Sequence, residues 1–93
     1  MVNNDNKSGN KTRTTAKYKL HTDTLTDGLT RLQADNAYFS VLANSKDART
    51  RVQGRNGVKA TLIQITRQKL ALANDRAENE AAFRRGEIFK FWK

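Results

Sequence analysis

Residues 48–62 read Ala-Arg-Thr-Arg-Val-Gln-Gly-Arg-Asn-Gly-Val-Lys-Ala-Thr-Leu, and how this stretch folds decides the class of the whole chain. An Asn-Gly step between alternating segments is the strongest short-range signal for a β-hairpin, because both residues tolerate the left-handed backbone of a tight turn. With a three-residue loop at Arg55, Asn56 and Gly57, Val52 falls opposite Ala60 and Thr50 opposite Leu62. Ala48, Thr50, Val52, Val58, Ala60 and Leu62 then share an apolar face, while Arg49, Arg51 and Lys59 share the other and Arg55 sits at the tip. A two-residue loop would put Val52 beside Lys59 and Thr61, and a one-residue slip exchanges the faces of a strand. The expected fold is therefore α+β, a single small domain of strand, helix, β-hairpin and helix.

The same residues admit a second reading, an all-α helical hairpin. In it Val58 onward is helical, Asn56 is an N-cap, and Gly54-Arg55-Asn56-Gly57 joins two helices. Ile63 and Ile65 already break the two-residue alternation. Periodicity alone does not separate the two over so short a run.

Upstream, residues 1–13 are Asn, Lys, Gly, Ser and Thr with little to bury and read as a flexible basic arm. From Thr14 to Thr22 the chain alternates, with Ala16, Tyr18 and Leu20 on one side and Lys17, Lys19 and His21 on the other, as in a half-buried strand. Thr24 with Asp27 resembles a capping box, so a helix is expected from there, with Leu25, Leu29, Leu32, Phe39 and Ala43 along one stripe. Asn44-Ser45-Lys46-Asp47 is a polar connector. Downstream, residues 63–85 read as a helix stopped by Gly86, with Leu62, Ile63, Ile65, Leu70, Leu72 and Phe83 on its apolar half. Residues 14–86 make up the expected domain and 87–93 an aromatic tail, in which Ile88, Phe89, Phe91 and Trp92 must dock on this core or on a neighbouring subunit.

Charge is the clearest functional signal. The net charge is +9, and it is unevenly spread. Residues 1–20 carry five cations and one anion, residues 21–45 one and three, residues 46–69 seven and one, and residues 70–93 five and four. Two basic blocks around an acidic segment point to a polyanionic partner more than scattered lysines would. No run of about 18 apolar residues is present, so no membrane contact is expected. The absence of cysteine fits a cytoplasmic setting, or a virion if the protein is viral.

Catalytic signatures are missing. His21 has no second imidazole or thiolate beside it for zinc, and neither Gly54 nor Gly57 is followed by the Lys-Ser/Thr of a phosphate loop. No enzyme activity, metal or cofactor is expected. The sequence points to a nucleic-acid-binding protein, for DNA or RNA, that contacts backbone phosphates through Arg49, Arg51, Arg55 and Lys59, with Lys11, Arg13, Lys17 and Lys19 adding to them. The alternative is a structural subunit of a larger assembly, such as a virion or ribonucleoprotein particle, whose arm and tail dock on neighbours. Its cations would then meet an acidic protein surface, and self-association through the alanine-rich helix is left open.

Overall fold

The computed structural model describes the backbone of residues 3–93 and the side chains of residues 9–93. Two helices account for most of it: α1 spans Asn3–Ala43 and α2 spans Ala48–Arg84. They lie antiparallel in a rod of 72 × 18 × 18 Å. The radius of gyration is 19.8 Å, against about 12 Å for a globular chain of this length.

The α+β expectation is overturned, because the described residues contain no strand. Neither the strand over residues 14–22 nor the β-hairpin over residues 48–62 forms. The helical hairpin of the second reading forms instead, but it reverses at Asn44–Asp47 and not at Gly54–Gly57. α1 also runs straight through Thr24, where a helix start was expected, and takes in the expected arm from Asn3 onward. Met1 and Val2 lie outside the described residues.

The physical reason lies in the spacing of the residues that meet. On α1, half-buried positions recur at alternating steps of four and three, at Lys11, Thr15, Tyr18, Thr22, Leu25, Leu29, Leu32, Asn36, Phe39 and Ala43, with Thr14, Gly28, Ser40 and Leu42 half-buried beside them. On α2, Arg51, Gly54, Val58, Thr61, Ile65, Gln68, Leu72, Asp75, Asn79 and Ala82 repeat the pattern. Steps of three and four sustained over ten positions are those of a coiled-coil seam. The register is constant: Thr22 meets Asp75, Asn36 meets Thr61, and Gly54 lies against Ala43.

Gly54 and Gly57 belong to that seam rather than to a turn. A Cβ at Gly54 would stand 2.6 Å from the Leu42 carbonyl carbon and closer still to the Ala43 nitrogen. At Gly57 it would run into the Phe39 ring. Each glycine costs an isolated helix about 1 kcal/mol, and close backbone approach offsets that cost.

Threonine, read as a strand former over 14–22, is satisfied inside the helix. Thr14 and Thr15 each donate to the carbonyl four residues back at 2.7 Å, and Thr24 does so at 2.8 Å. The seam itself is thin and partly polar. Among the described residues the buried hydrophobic side chains are Ile65, Ala82 and Ile88, while Thr61, Asp75 and Asn79 are buried beside them.

The expected apolar faces therefore divide. Leu25, Leu29, Leu32, Phe39 and Ala43 do face the partner helix. On α2, however, Val52, Leu62, Ile63 and Leu70 are 51–61% exposed, because the three-four seam selects smaller and polar neighbours.

α2 ends in a Schellman motif. Gly86 takes a φ of 76°, its N–H donates to the Phe83 carbonyl, and the Glu87 N–H donates to the Ala82 carbonyl, both at 3.0 Å. The chain then turns back along the open end of the hairpin.

Candidate functional site

The sequence groups its expected phosphate-binding residues as one basic ribbon; the helical fold divides them between the two ends of the rod. At about 100° per residue, Arg51 lies about 200° round α2 from Arg49. Arg51, Arg55 and Lys59 follow one another at four-residue steps, a row about 12 Å long that turns about 80° round α2 from the inner seam toward its outer side. Arg49 points away from that row, so the four do not share a face.

Lys11, Arg13, Lys17 and Lys19 sit near the opposite end, roughly 30–50 Å along the axis from the 49–59 group at 1.5 Å per residue. Two of them are engaged there. Lys19 pairs with Asp23 at 2.9 Å, and the Lys11 ammonium stands 4.4 Å from the centre of the Phe89 ring. Lys17 and Lys19, expected on one sheet face, are instead about 200° apart on α1.

The loop end holds the most concentrated positive charge. Within residues 36–61 lie Lys46, Arg49, Arg51, Arg55 and Lys59, with Asp47 as the one acid. Asp47 is committed to the fold: it caps α2, accepting from the Thr50 N–H at 2.9 Å and from the Thr50 hydroxyl at 2.7 Å. Those two hydrogen bonds, the hydroxyl's first, hold its carboxyl below the ordinary range. Arg51 donates to the Ser45 carbonyl at 3.3 Å, which ties the connector to the first turn of α2. Among the described residues Arg49, Arg55 and Lys59 have no acidic partner. The positive pole of the α2 dipole points into the same region.

Between the ends the charge cancels. Residues 20–35 and 62–77 carry Arg31, Arg67, Lys69 and Arg76 against Asp23, Asp27, Asp35 and Asp75. At the open end, Glu78 and Glu87 share Arg85, at 3.1 and 2.9 Å. Hydrogen bonds from Arg85 hold the Glu87 carboxyl low, and the same bonds raise the guanidinium's own pKa.

No family model matches the chain, and comparison with curated proteins and with solved structures likewise finds no match.

The tail, expected to dock on this core or on a neighbouring subunit, lies against this chain's own helices. Ile88 is wholly buried, the Phe89 N–H donates to the Thr15 hydroxyl at 2.9 Å, and Trp92 meets Phe83 and Phe91 edge-on at 6.0 and 4.9 Å. Phe89 remains half exposed beneath Lys11.

Sequence reasoning missed a polar cluster in the seam near this end. The Thr22 hydroxyl donates to Asp75 Oδ2 at 2.5 Å and accepts from Asn79 Nδ2 at 3.0 Å. Asn79 Nδ2 also reaches Asp75 Oδ2 at 3.2 Å, while Asn79 Oδ1 is buried without a partner. His21, expected to be structural or solvent-facing, is 66% exposed, and its Nε2 lies 3.7 Å from Asp75 Oδ1. That contact is longer than a hydrogen bond. His21, Tyr18, Leu25, Asn74 and Asp75 line an open cleft of about 630 Å³. The signal that finds the cluster is the three-four spacing, which places Thr22, Asp75 and Asn79 on the seam. Among the described residues no group of three or more His, Cys, Asp or Glu is arranged to hold a metal, and no helix is long and apolar enough to cross a membrane.

Proposed function

We propose that this chain is a non-enzymatic basic rod that binds nucleic acid, DNA or RNA, mainly through backbone phosphates and chiefly at its loop end. The observation that carries the reading is the set of Lys46, Arg49, Arg51, Arg55 and Lys59, whose one neighbouring acid is occupied in capping α2. Arg49, Arg55 and Lys59 have no acidic partner to give up when they meet phosphate, and arginine's planar fork suits phosphate oxygens. The row Arg51, Arg55 and Lys59 is short, so it contacts a few phosphates and carries no base-reading pattern. The protein then acts in the cytoplasm or within a virion, wherever its nucleic acid is packaged or handled.

The test is titration of the purified chain with labelled duplex and single-stranded DNA and RNA at about 50 and 200 mM salt. Binding should weaken steeply with salt, and replacing Arg51, Arg55 and Lys59 together by Gln should lower the log–log salt slope by about 2–3. Absence of binding at the lower salt would sink the proposal.

A different observation favours a second reading, a structural subunit of a larger assembly such as a virion or ribonucleoprotein particle. Bulky residues on the back of α2 stand exposed while the seam buries threonine, aspartate and asparagine.

A further inference from the structure

α2 carries a second seam on the side away from α1. Lys59, Ile63, Thr66, Leu70, Ala73 and Ala77 follow one another at steps of four, three, four, three and four, and all are exposed. Ile63 is 56% exposed and Leu70 61%, with Leu62 at 51% on its flank. Three-four spacing is what a helix needs to meet another helix over several turns. The inner seam by itself buries few apolar side chains, and two helices alone make a marginal core.

We propose that this outer seam packs against the same seam of a second copy of the chain, antiparallel, about a two-fold axis near Gln68. The inference rests on the assembly reading and not on phosphate contact. Self-complementarity selects the arrangement. With the axis there, Ile63 faces Ala73 of the other copy, Leu70 faces Thr66, and the Lys59 stem lies over Ala77. Large sits on small in these three layers, as close packing requires. A parallel pair would set Ile63 on Ile63 and Ala73 on Ala73, leaving layers of unequal depth. The two-fold relation makes each contact occur twice, as in isologous dimers.

The extent of the face is sufficient. Residues 52–84 overlap under this pairing, so a strip roughly 48 Å long and 10 Å wide closes. That is about 500 Å² per copy and about 1,000 Å² in all, near the lower limit for a specific interface. The strip covers the electrically balanced middle of the rod and also takes in Arg55 and Lys59 of the loop end, which come level with Ala81 and Ala77 of the other copy. Arg67 of one copy comes level with Lys69 of the other. Glu80 of one copy lies within a turn of Lys59 of the other, but each copy carries a net charge of +9 and the two repel overall. Salt screens that overall repulsion, so the dimer strengthens with salt while phosphate binding weakens. Failure of one reading is thereby distinguishable from failure of the other.

Sedimentation equilibrium of the full chain, from about 1 to 100 μM and at about 50 and 500 mM salt, tests the proposal. The two-chain mass should appear within that range and gain population at the higher salt. Leu70→Lys should raise the dissociation constant by roughly 100-fold or more. Ala73→Gln, a good helix former at an exposed position, should weaken it by separating the helices. Leu20→Lys, on the exposed outer side of α1, should leave the mass unchanged. Circular dichroism at matched concentration distinguishes loss of the dimer from loss of helix. A one-chain mass for the parent across the whole range, or a two-chain mass that survives both Leu70→Lys and Ala73→Gln, overturns the inference.

Discussion

The two ends of this hairpin hold their helices together by different means. At the loop end the backbones touch: Gly54 lies against Ala43, and the Phe39 ring rests on Gly57. At the open end no such glycine pair exists among the described residues, and a third segment does the holding. The tail inserts Ile88 and sets Trp92 edge-on against Phe83, while the Thr22, Asp75 and Asn79 cluster fills the seam between the helices. One end is closed by removing side chains and the other by adding them. A rod that is only two helices thick has no third layer to call on, so each end needs its own device.

That contrast can be broken most severely at Gly54. Gly54→Ala places a methyl against backbone that has no side chain to move, and should cost about 3 kcal/mol despite alanine's better helix propensity. Urea unfolding measures it, and a neutral result would mean that the helices can separate at the loop end without loss.

At the other end, Ile88→Ala should cost about 2 kcal/mol, the low side of the range for a buried isoleucine, because an extended tail can partly settle into the gap. The same measurement applies, and Trp92 fluorescence should report the loosened tail. A Trp92 signal unchanged by the substitution would remove Ile88 as the anchor.

The smallest effect is expected from acid. The folded pKa values of Asp47 and Glu87 are both depressed, one by Thr50 and the other by Arg85. Each therefore contributes stability that is present above the ordinary carboxylate value of about 4 and is lost as pH falls through the lower folded value. Asp47→Asn should remove the loop-end share of that acid sensitivity and leave the Glu87 share, read as unfolding midpoint against pH from 6 down to about 2. An identical pH profile in parent and variant would assign the sensitivity elsewhere.

Much of the fold was legible where local chemistry and tertiary packing agree. The stripe Leu25, Leu29, Leu32, Phe39 and Ala43 lies on the seam, the polar connector Asn44–Asp47 is the turn, and Gly86 ends α2. The basic character of residues 46–59 was equally plain, since charge is read by counting. The direction in which each cation points was not, because it follows from helix period rather than strand period.

Gly57 shows the limit most clearly. Asn56-Gly57 satisfies every local requirement of a turn, and only the presence of Phe39 against it makes the glycine a packing residue in a helix. The amino-acid order by itself determined the charge blocks, the connector and the helix stop, all of which act within a few residues of chain. Tertiary structure decided the role of the two glycines and which face of α2 turned inward. Those depend on the close approach of segments about 11–53 residues apart, a distance over which local propensity carries no information.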